Sequence, residues 1–273
     1  MPQARPRGSE FQVNTYTTNG QFSASAAMES NGDFVIAWES NGQDSGTNGI
    51  YAQGFGMAPE PAGNEFRGNT HTTSYQSLPI VATNSDGDFV IVWSSSDDQD
   101  GSGYGVYAQR YNSSGTAQGS EFLVNTYTTS NQLSTCVAMD ADSDFVIVWR
   151  SLQDGDNYGV YAQRFNASGT AQGSEFRVNT TTTGLQSDAS VAMDADGDFV
   201  VTWSSYQDGS GASVMAQRFG AGGTPRGELQ VTTPSRRSGR RDGVLSCRSV
   251  YKVENGLGTP REWTCSPPRQ LLV

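Results

Sequence analysis

Apolar and polar residues along this chain alternate in short bursts, and each burst ends in glycine, serine, asparagine or aspartate. In one stretch, Ser134–Met139, Asp144–Ser151, Val160–Asn166 and Glu175–Thr180 each have the length and residue types of a β-strand. ADSD (141–144), LQDGDNYG (152–159) and ASGTAQG (167–173) punctuate them as turns. Along the second of these strands Phe145, Ile147 and Trp149 face one way and Val146 and Val148 the other, so both faces are apolar and covered. The fourth sets Phe176 and Val178 against Glu175, Arg177 and Asn179, leaving one face wet.

The whole pattern is repeated. Trp38, Trp93, Trp149 and Trp203 stand 55, 56 and 54 residues apart, and Asp33, Asp88, Asp144 and Asp198 keep the same register. VYAQRYNSSGTAQGSEF (106–122) matches VYAQRFNASGTAQGSEF (160–176), and GSEFLVNTYTT (119–129) matches GSEFRVNTTTT (173–183). Tandem units of this length, each with strands buried twice inside and once outside, predict an all-β fold: a β-propeller of four-stranded antiparallel blades. Four repeats are visible, either a whole ring or part of a larger one. An array of β-sandwiches is the weaker alternative, since each needs about seven strands.

The repeats set the domain boundaries. Residues 1–9 form a leader, 10–233 the propeller, with units at about 19–70, 71–126, 127–180 and 181–233, and 234–273 a tail. Because the propeller opens on a fourth strand (10–18), that segment is predicted to close a ring by pairing with the strand around Val214–Phe219, unless the chain is a section of a longer array. Charge divides at the same place. Residues 1–233 hold 9 Arg, no Lys and 25 acids, net −16, whereas 234–273 hold 7 Arg, 1 Lys and 3 acids, net +5. The tail is either a degenerate half blade or the product of a shifted reading frame.

Composition narrows the functional classes. An acidic body without clustered Lys and Arg argues against nucleic acid, and no apolar run is long enough to insert in a membrane as a helix. MPQARPRGSE shows no export signal. His71 is the single histidine, so neither a Ser/His/Asp triad nor a His/Cys zinc site can be assembled around it. Cys136 reads as a small core residue, and Cys247 and Cys265 could form a disulfide in an exported chain.

The phrase DADGDFVVTW (194–203), with YQDGSG (206–211) and VMAQRF (214–219), resembles tandem repeats of large bacterial surface and secreted proteins. That resemblance covers roughly residues 8–233 and implies propeller blades beside calcium-binding or adhesion-type modules, with no defined activity. Gly54, where other copies have Arg110, Arg164 and Arg218, and Gly68, where they have Val124 and Val178, depart from it.

Two acidic motifs carry the candidate chemistry. ESNGD (29–33), NSDGD (84–88), DADSD (140–144) and DADGD (194–198) place carboxylates at alternate positions, as a Ca²⁺ loop does. They resemble the opening of the calcium loops of integrin-type propellers, although Phe199 and Thr202 stand where those loops continue with glycine and carboxylate. The metal candidates are therefore Asp86, Asp88, Asp140, Asp142, Asp144, Asp194, Asp196 and Asp198, against the plainer reading of a tight hairpin turn in which Asp and Asn bond their own backbone. The second motif joins strands two and three and would set a ligand rim of Asp44, Asp100, Asp154 and Asp208, with Tyr104 and Tyr158, for cations or sugar hydroxyls. Glu121 with Arg110, and Glu175 with Arg164, read as cross-strand ion pairs. The function expected on these grounds is a non-catalytic extracellular or cell-surface module, with no certain cofactor and a calcium ion as the candidate one, binding a glycan or protein surface or acting as a scaffold. A propeller hydrolase or lyase and a structural spacer are the alternatives, the enzyme being disfavoured because the departures from the repeat look eroded or small.

Overall fold

A computed structural model describes residues 9–230 apart from 45–46, 59, 97–98, 208 and 210; the tail 234–273, with Cys247 and Cys265, lies outside the described residues. Blade 1 comprises β1 (Gln21–Met28), β2 (Phe34–Asn41), β3 (Asn48–Phe55) and β4 (Pro61–Arg67). Blade 2 comprises β5 (Gln76–Thr83), β6 (Phe89–Ser95), β7 (Gly105–Tyr111) and β8 (Phe122–Leu123). Blade 3 is β9 (Gln132–Met139), β10 (Phe145–Ser151), β11 (Gly159–Phe165) and β12 (Phe176–Arg177). Blade 4 is β13 (Gln186–Met193), β14 (Phe199–Ser205), β15 (Ser213–Phe219) and β16 (Pro225–Gln230). Each blade is one antiparallel sheet with its strands in chain order, as the repeat predicts.

The outer strands of blades 2 and 3 shrink to two residues. Val178 N–H still reaches Val160 O at 2.8 Å, but the Val160 N–H turns to Asn179 Oδ1 at 2.7 Å, so a side chain replaces the ladder and the pairing stops. Asn125 does the same to Val106, and Asn69 to Ile50, each at 2.7 Å.

Blades stack through three apolar layers. Val35, Ala37, Ile50 and Ala52 of blade 1 meet Phe89, Ile91, Trp93 and Tyr107 of blade 2. Val90, Val92, Val106 and Ala108 meet Phe145, Ile147 and Trp149, and Val146, Val148, Val160 and Ala162 meet Phe199, Val201 and Trp203. Every junction sets a ridge of small and β-branched residues against an aromatic face, which explains why the second strands are apolar on both sides. Inner strand lies beside inner strand from β1 to β5, β9 and β13, with no comparable contact between β13 and β1. The described blades thus form an open arc.

Residues 10–18 do not close it. The edge of β15 is taken by β16, with Ala216 opposite Leu229. Phe11 instead lies on blade 1, with ring centroids 5.3 Å from Phe55 and 6.5 Å from Phe34.

Each inner strand carries a bulge opposite its tryptophan. Ser23, Leu78, Ser134 and Asp188 have φ of 52°, 54°, 57° and 53°, and the register slips there, two residues facing one. Non-glycine residues in this left-handed region are costly and concentrate where a strand must re-aim its side chains. The bulges lie near the starts of the inner strands, at the end of the arc that also carries the β2–β3 loop of blade 1 and its equivalents. We call this the upper face. The DADGD-type turns lie at the lower one.

Candidate functional site

The two acidic motifs therefore occupy opposite faces. On the lower face, Asp140 Oδ1 accepts the backbone N–H of Asp142 and of Asp144, both at 2.9 Å. Asp194 Oδ1 does so for Asp196 at 3.2 Å and Asp198 at 2.9 Å, and Asn84 Oδ1 for Asp86 at 2.9 Å and Asp88 at 3.0 Å. The last acid of each turn holds the next hairpin: Asp88 accepts from Ser113 N, Asp144 from Ala167 N and Asp198 from Ala221 N, at 3.2, 2.8 and 3.0 Å. Asp142 and Asp196 are exposed at the turn tips. Asp198 also pairs with Arg218 and Arg226, the ion pairs among the described residues. Burial, then the neighbouring Asp144 and Asp142, pushes the Asp140 carboxyl up.

Backbone donors thus occupy Oδ1 of Asp140 and of Asp194 in the manner of a tight turn, and no group of three His, Cys, Asp or Glu side chains among the described residues is gathered as a metal site. Asp140→Asn keeps Oδ1 as an acceptor and is expected to unfold within about 0.5 kcal/mol of the parent. Asp140→Ala should lose about 1–2 kcal/mol, as for other lost side-chain caps. Thermal unfolding with calcium and with chelator checks both: a calcium-dependent loss in the Asn variant would refute the turn.

On the upper face the expected rim aspartates turn inward. A Cβ on Gly49, Gly105 or Gly159 would come within 2.6, 2.6 and 2.5 Å of Asp44, Asp100 and Asp154 Oδ2, so these aspartates fold back against the start of the third strand. Both Asp154 oxygens are buried without a hydrogen-bond partner, and burial pushes this carboxyl up against the opposing pull of Arg177. Burial and the adjacent Asp44 or Asp100 raise Tyr51 and Tyr107 to about 12. Asp208 lies outside the described residues. Tyr104 and Tyr158 lie on the same loops, and their carbonyls accept the N–H of Gln132 and Gln186, tying each loop to the next inner strand at 2.8 and 2.9 Å.

The expected Glu–Arg pairs do not form. Ala108 is opposite Phe122, so Glu121 falls opposite Gln109 and on the other side of the blade from Arg110. Arg110 bonds the carbonyls of Ala167 and of Gln118, the latter at 2.9 Å. Glu121 instead accepts from Gln99 Nε2 at 2.6 Å and from Thr70 N at 2.5 Å, and Glu175 repeats this with Gln153 and Thr126, both at 2.6 Å. These glutamates clasp each blade to the chain entering from the one before.

Equivalent positions across the four blades differ in ways that motif spacing does not show. One column holds Glu39, Ser94, Arg150 and Ser204; another holds Ser23, Leu78, Ser134 and Asp188. The charged departures lie at one level, on the upper face beside the bulges. Glu39 is buried, with Oε1 accepting Leu78 N–H at 2.7 Å and Oε2 accepting Asn48 Nδ2 at 3.1 Å. Arg150 occupies the same place in blade 3, and the next blade's bulge presents Asp188. Arg150 does not bridge to it. Its guanidinium sits 4.7 Å from the Tyr158 ring centroid, and its buried Nε is without a partner. Asp188 is exposed, and Asp156, also exposed, accepts Gly184 N–H at 2.9 Å on the same loop as Tyr158. Exposed carboxylates thus stand on both sides of the blade 3–blade 4 junction, next to a cation resting on an aromatic ring.

Solved structures of similar architecture include the Hadza microbial sialidase Hz136, with TM-score 0.53 and 10% identity over 79% of this chain and 47% of that one. The chain is a β-propeller. It spans about half the length of that sialidase. The GH43 endo-arabinanase from Bacillus licheniformis matches at TM-score 0.44 and 13% identity, covering 83% of this chain and 84% of its own. The α-L-arabinofuranosidase from Lactobacillus brevis matches at 0.43 and 12%, covering 71% and 72%. No family model matches the sequence, and no curated protein is similar to it. The expectation of a non-catalytic adhesion or scaffold module that is no enzyme is corrected at this point, since a sialidase shares the fold. The premise behind that expectation also fails, because Glu39, Arg150 and Asp188 are charged departures from the repeat and are neither small nor eroded.

Proposed function

We propose that this chain is a glycan-active propeller of the hydrolase class, working outside the cell or at its surface and taking its substrate on the upper face. A propeller hosts many activities, so the reading rests on the blade 3–blade 4 junction, where Arg150, Tyr158, Asp156 and Asp188 break the repeat or stand beside the break. Support comes from what each group offers. The Tyr158 ring and the Arg150 stem give an apolar shelf for a sugar ring, and the guanidinium supplies donors for hydroxyl or carboxylate oxygens. Glycoside cleavage commonly uses two carboxylates flanking the bond, one giving and one accepting a proton or acting as nucleophile. Asp188 and Asp156 are the exposed pair here. The sialidase of similar fold agrees with a glycan substrate.

The test is release of reducing ends. The full chain incubated with arabinan, arabinoxylan and sialylated oligosaccharides is expected to cleave at least one. Absence of product from all three, with no retention on the immobilised glycans, would refute the reading.

A further inference from the structure

We propose that the blade 1–blade 2 junction carries a second contact for the glycan, an apolar platform of Leu78 and Tyr75 that receives the C–H face of a sugar ring distant from the one held at Arg150 and Tyr158. The inference rests on the glycan-active reading and adds the size of the substrate to it: a chain of several sugars lying along the upper face. The two columns that depart from the repeat do so together. Glu39 accompanies the bulge residue Leu78 at one junction, and Arg150 accompanies the bulge residue Asp188 two junctions further on. At the junction between them both places hold serine, Ser94 and Ser134.

Nothing in the fold asks for leucine at position 78. A single half-exposed leucine is ordinary on a protein surface, but this one has φ of 54°, where a bulky side chain is an outlier, and the other three blades use Ser23, Ser134 and Asp188 there. Pro79 follows, which biases the residue before it further towards extended backbone at negative φ. Yet the leucine side chain is 46% exposed, so packing does little to offset the conformation. The backbone is held instead by Glu39, itself 6% exposed, whose Oε1 accepts Leu78 N–H at 2.7 Å. No cation among the described residues pairs with that carboxylate. A buried charge is thus spent on fixing an apolar group in solvent, and rule-breaking of this kind concentrates at ligand sites. Tyr75, at the entry to the same strand, is 47% exposed, and its carbonyl accepts Ser96 N–H at 2.8 Å, anchoring its backbone to the end of β6. Apolar and aromatic side chains are what a sugar's C–H face requires. The inner strands β5, β9 and β13 stand side by side. Stacked sheets lie about 10 Å apart, so two junctions put Leu78 up to about 20 Å from Asp188, beyond the reach of a disaccharide.

Leu78→Ser and Tyr75→Asn install the residue types that blade 3 uses at the same places, Ser134 and Asn131, so both variants should melt within experimental error of the parent or above it. On whichever of arabinan, arabinoxylan and sialylated oligosaccharides the full chain cleaves, kcat/KM is measured for the longest form and for its disaccharide. The parent is expected to prefer the long glycan at least tenfold. Each variant should lose at least fivefold on the long glycan, through KM, and nothing on the disaccharide. A parent without length preference, variants that match it on the long glycan, or an equal loss on both substrates would overturn the platform and leave the blade 3–blade 4 site standing. A parent that neither cleaves nor retains any of the three glycans would remove both readings.

Discussion

Trp93→Ala should lower the unfolding free energy by about 3–5 kcal/mol, the range for deleting a large aromatic from a packed interior. For a chain of this size that corresponds to a fall of roughly 6–20 °C in melting temperature. Trp93 is fully buried at the middle of the blade 1–blade 2 layer, and its Nε1–H donates to Gln76 Oε1 at 2.8 Å. Trp149 is equally buried, but its Nε1 is without a partner. Conservative replacement therefore separates packing from hydrogen bonding. Trp93→Phe loses ring volume and strands a buried amide oxygen, a further cost of about 1–3 kcal/mol, whereas Trp149→Phe loses volume alone. Thermal or urea unfolding of the two Phe variants should rank Trp93→Phe as the less stable. Equal losses would mean that the Trp93–Gln76 bond contributes nothing net.

The same tryptophans show why the fold is legible in the residues. A strand such as FVIVW is apolar on both faces only if something covers each, and four copies at constant spacing leave stacked blades as the arrangement that covers them all. Periodicity conveys burial, because burial is a property of strand faces. It conveys pairing less well. The outer strands β8 and β12 end earlier than their residue pattern predicts because Asn125 and Asn179 look like ordinary polar positions, while in space their side chains take over the ladder, as Asn69 does at the end of β4. Likeness to the other outer strands points residues 10–18 towards β15, yet GELQV is also a copy of that strand and, being local to β15, loses less loop-closure entropy in reaching it.

The site is harder to see for a physical reason. Motifs attract notice when they recur, and the recurrent acids are those the architecture needs: Asp140 and Asp194 cap turns, Asp144 and Asp198 hold hairpins, and Asp100 and Asp154 fold against glycine. A reaction needs a group in one place, so its residues are the ones that do not recur. Arg150 in a column of Ser and Glu, and Asp188 in a column of Ser and Leu, are visible once the copies are aligned. Their meaning depends on the bulge and the junction that bring both to the upper face.

Asp188→Asn follows from that placement. The variant is expected to reduce glycan turnover by about 10²–10⁴-fold, the usual contribution of a positioned acid or base, with melting within experimental error of the parent. Asparagine is the apt replacement because φ at this position is 53°, a conformation that Asn and Asp tolerate better than other side chains. It also preserves side-chain shape while removing the ionisable carboxyl that could give or accept a proton. Asp188→Ala would confound the measurement with backbone strain. Arg150→Ala should act differently, raising KM more than it lowers kcat, since the guanidinium on Tyr158 is assigned to holding the sugar. Initial-rate kinetics on the substrate found by screening distinguish the two, and an Asp188→Asn chain that turns over at the parental rate would remove this residue from the reaction.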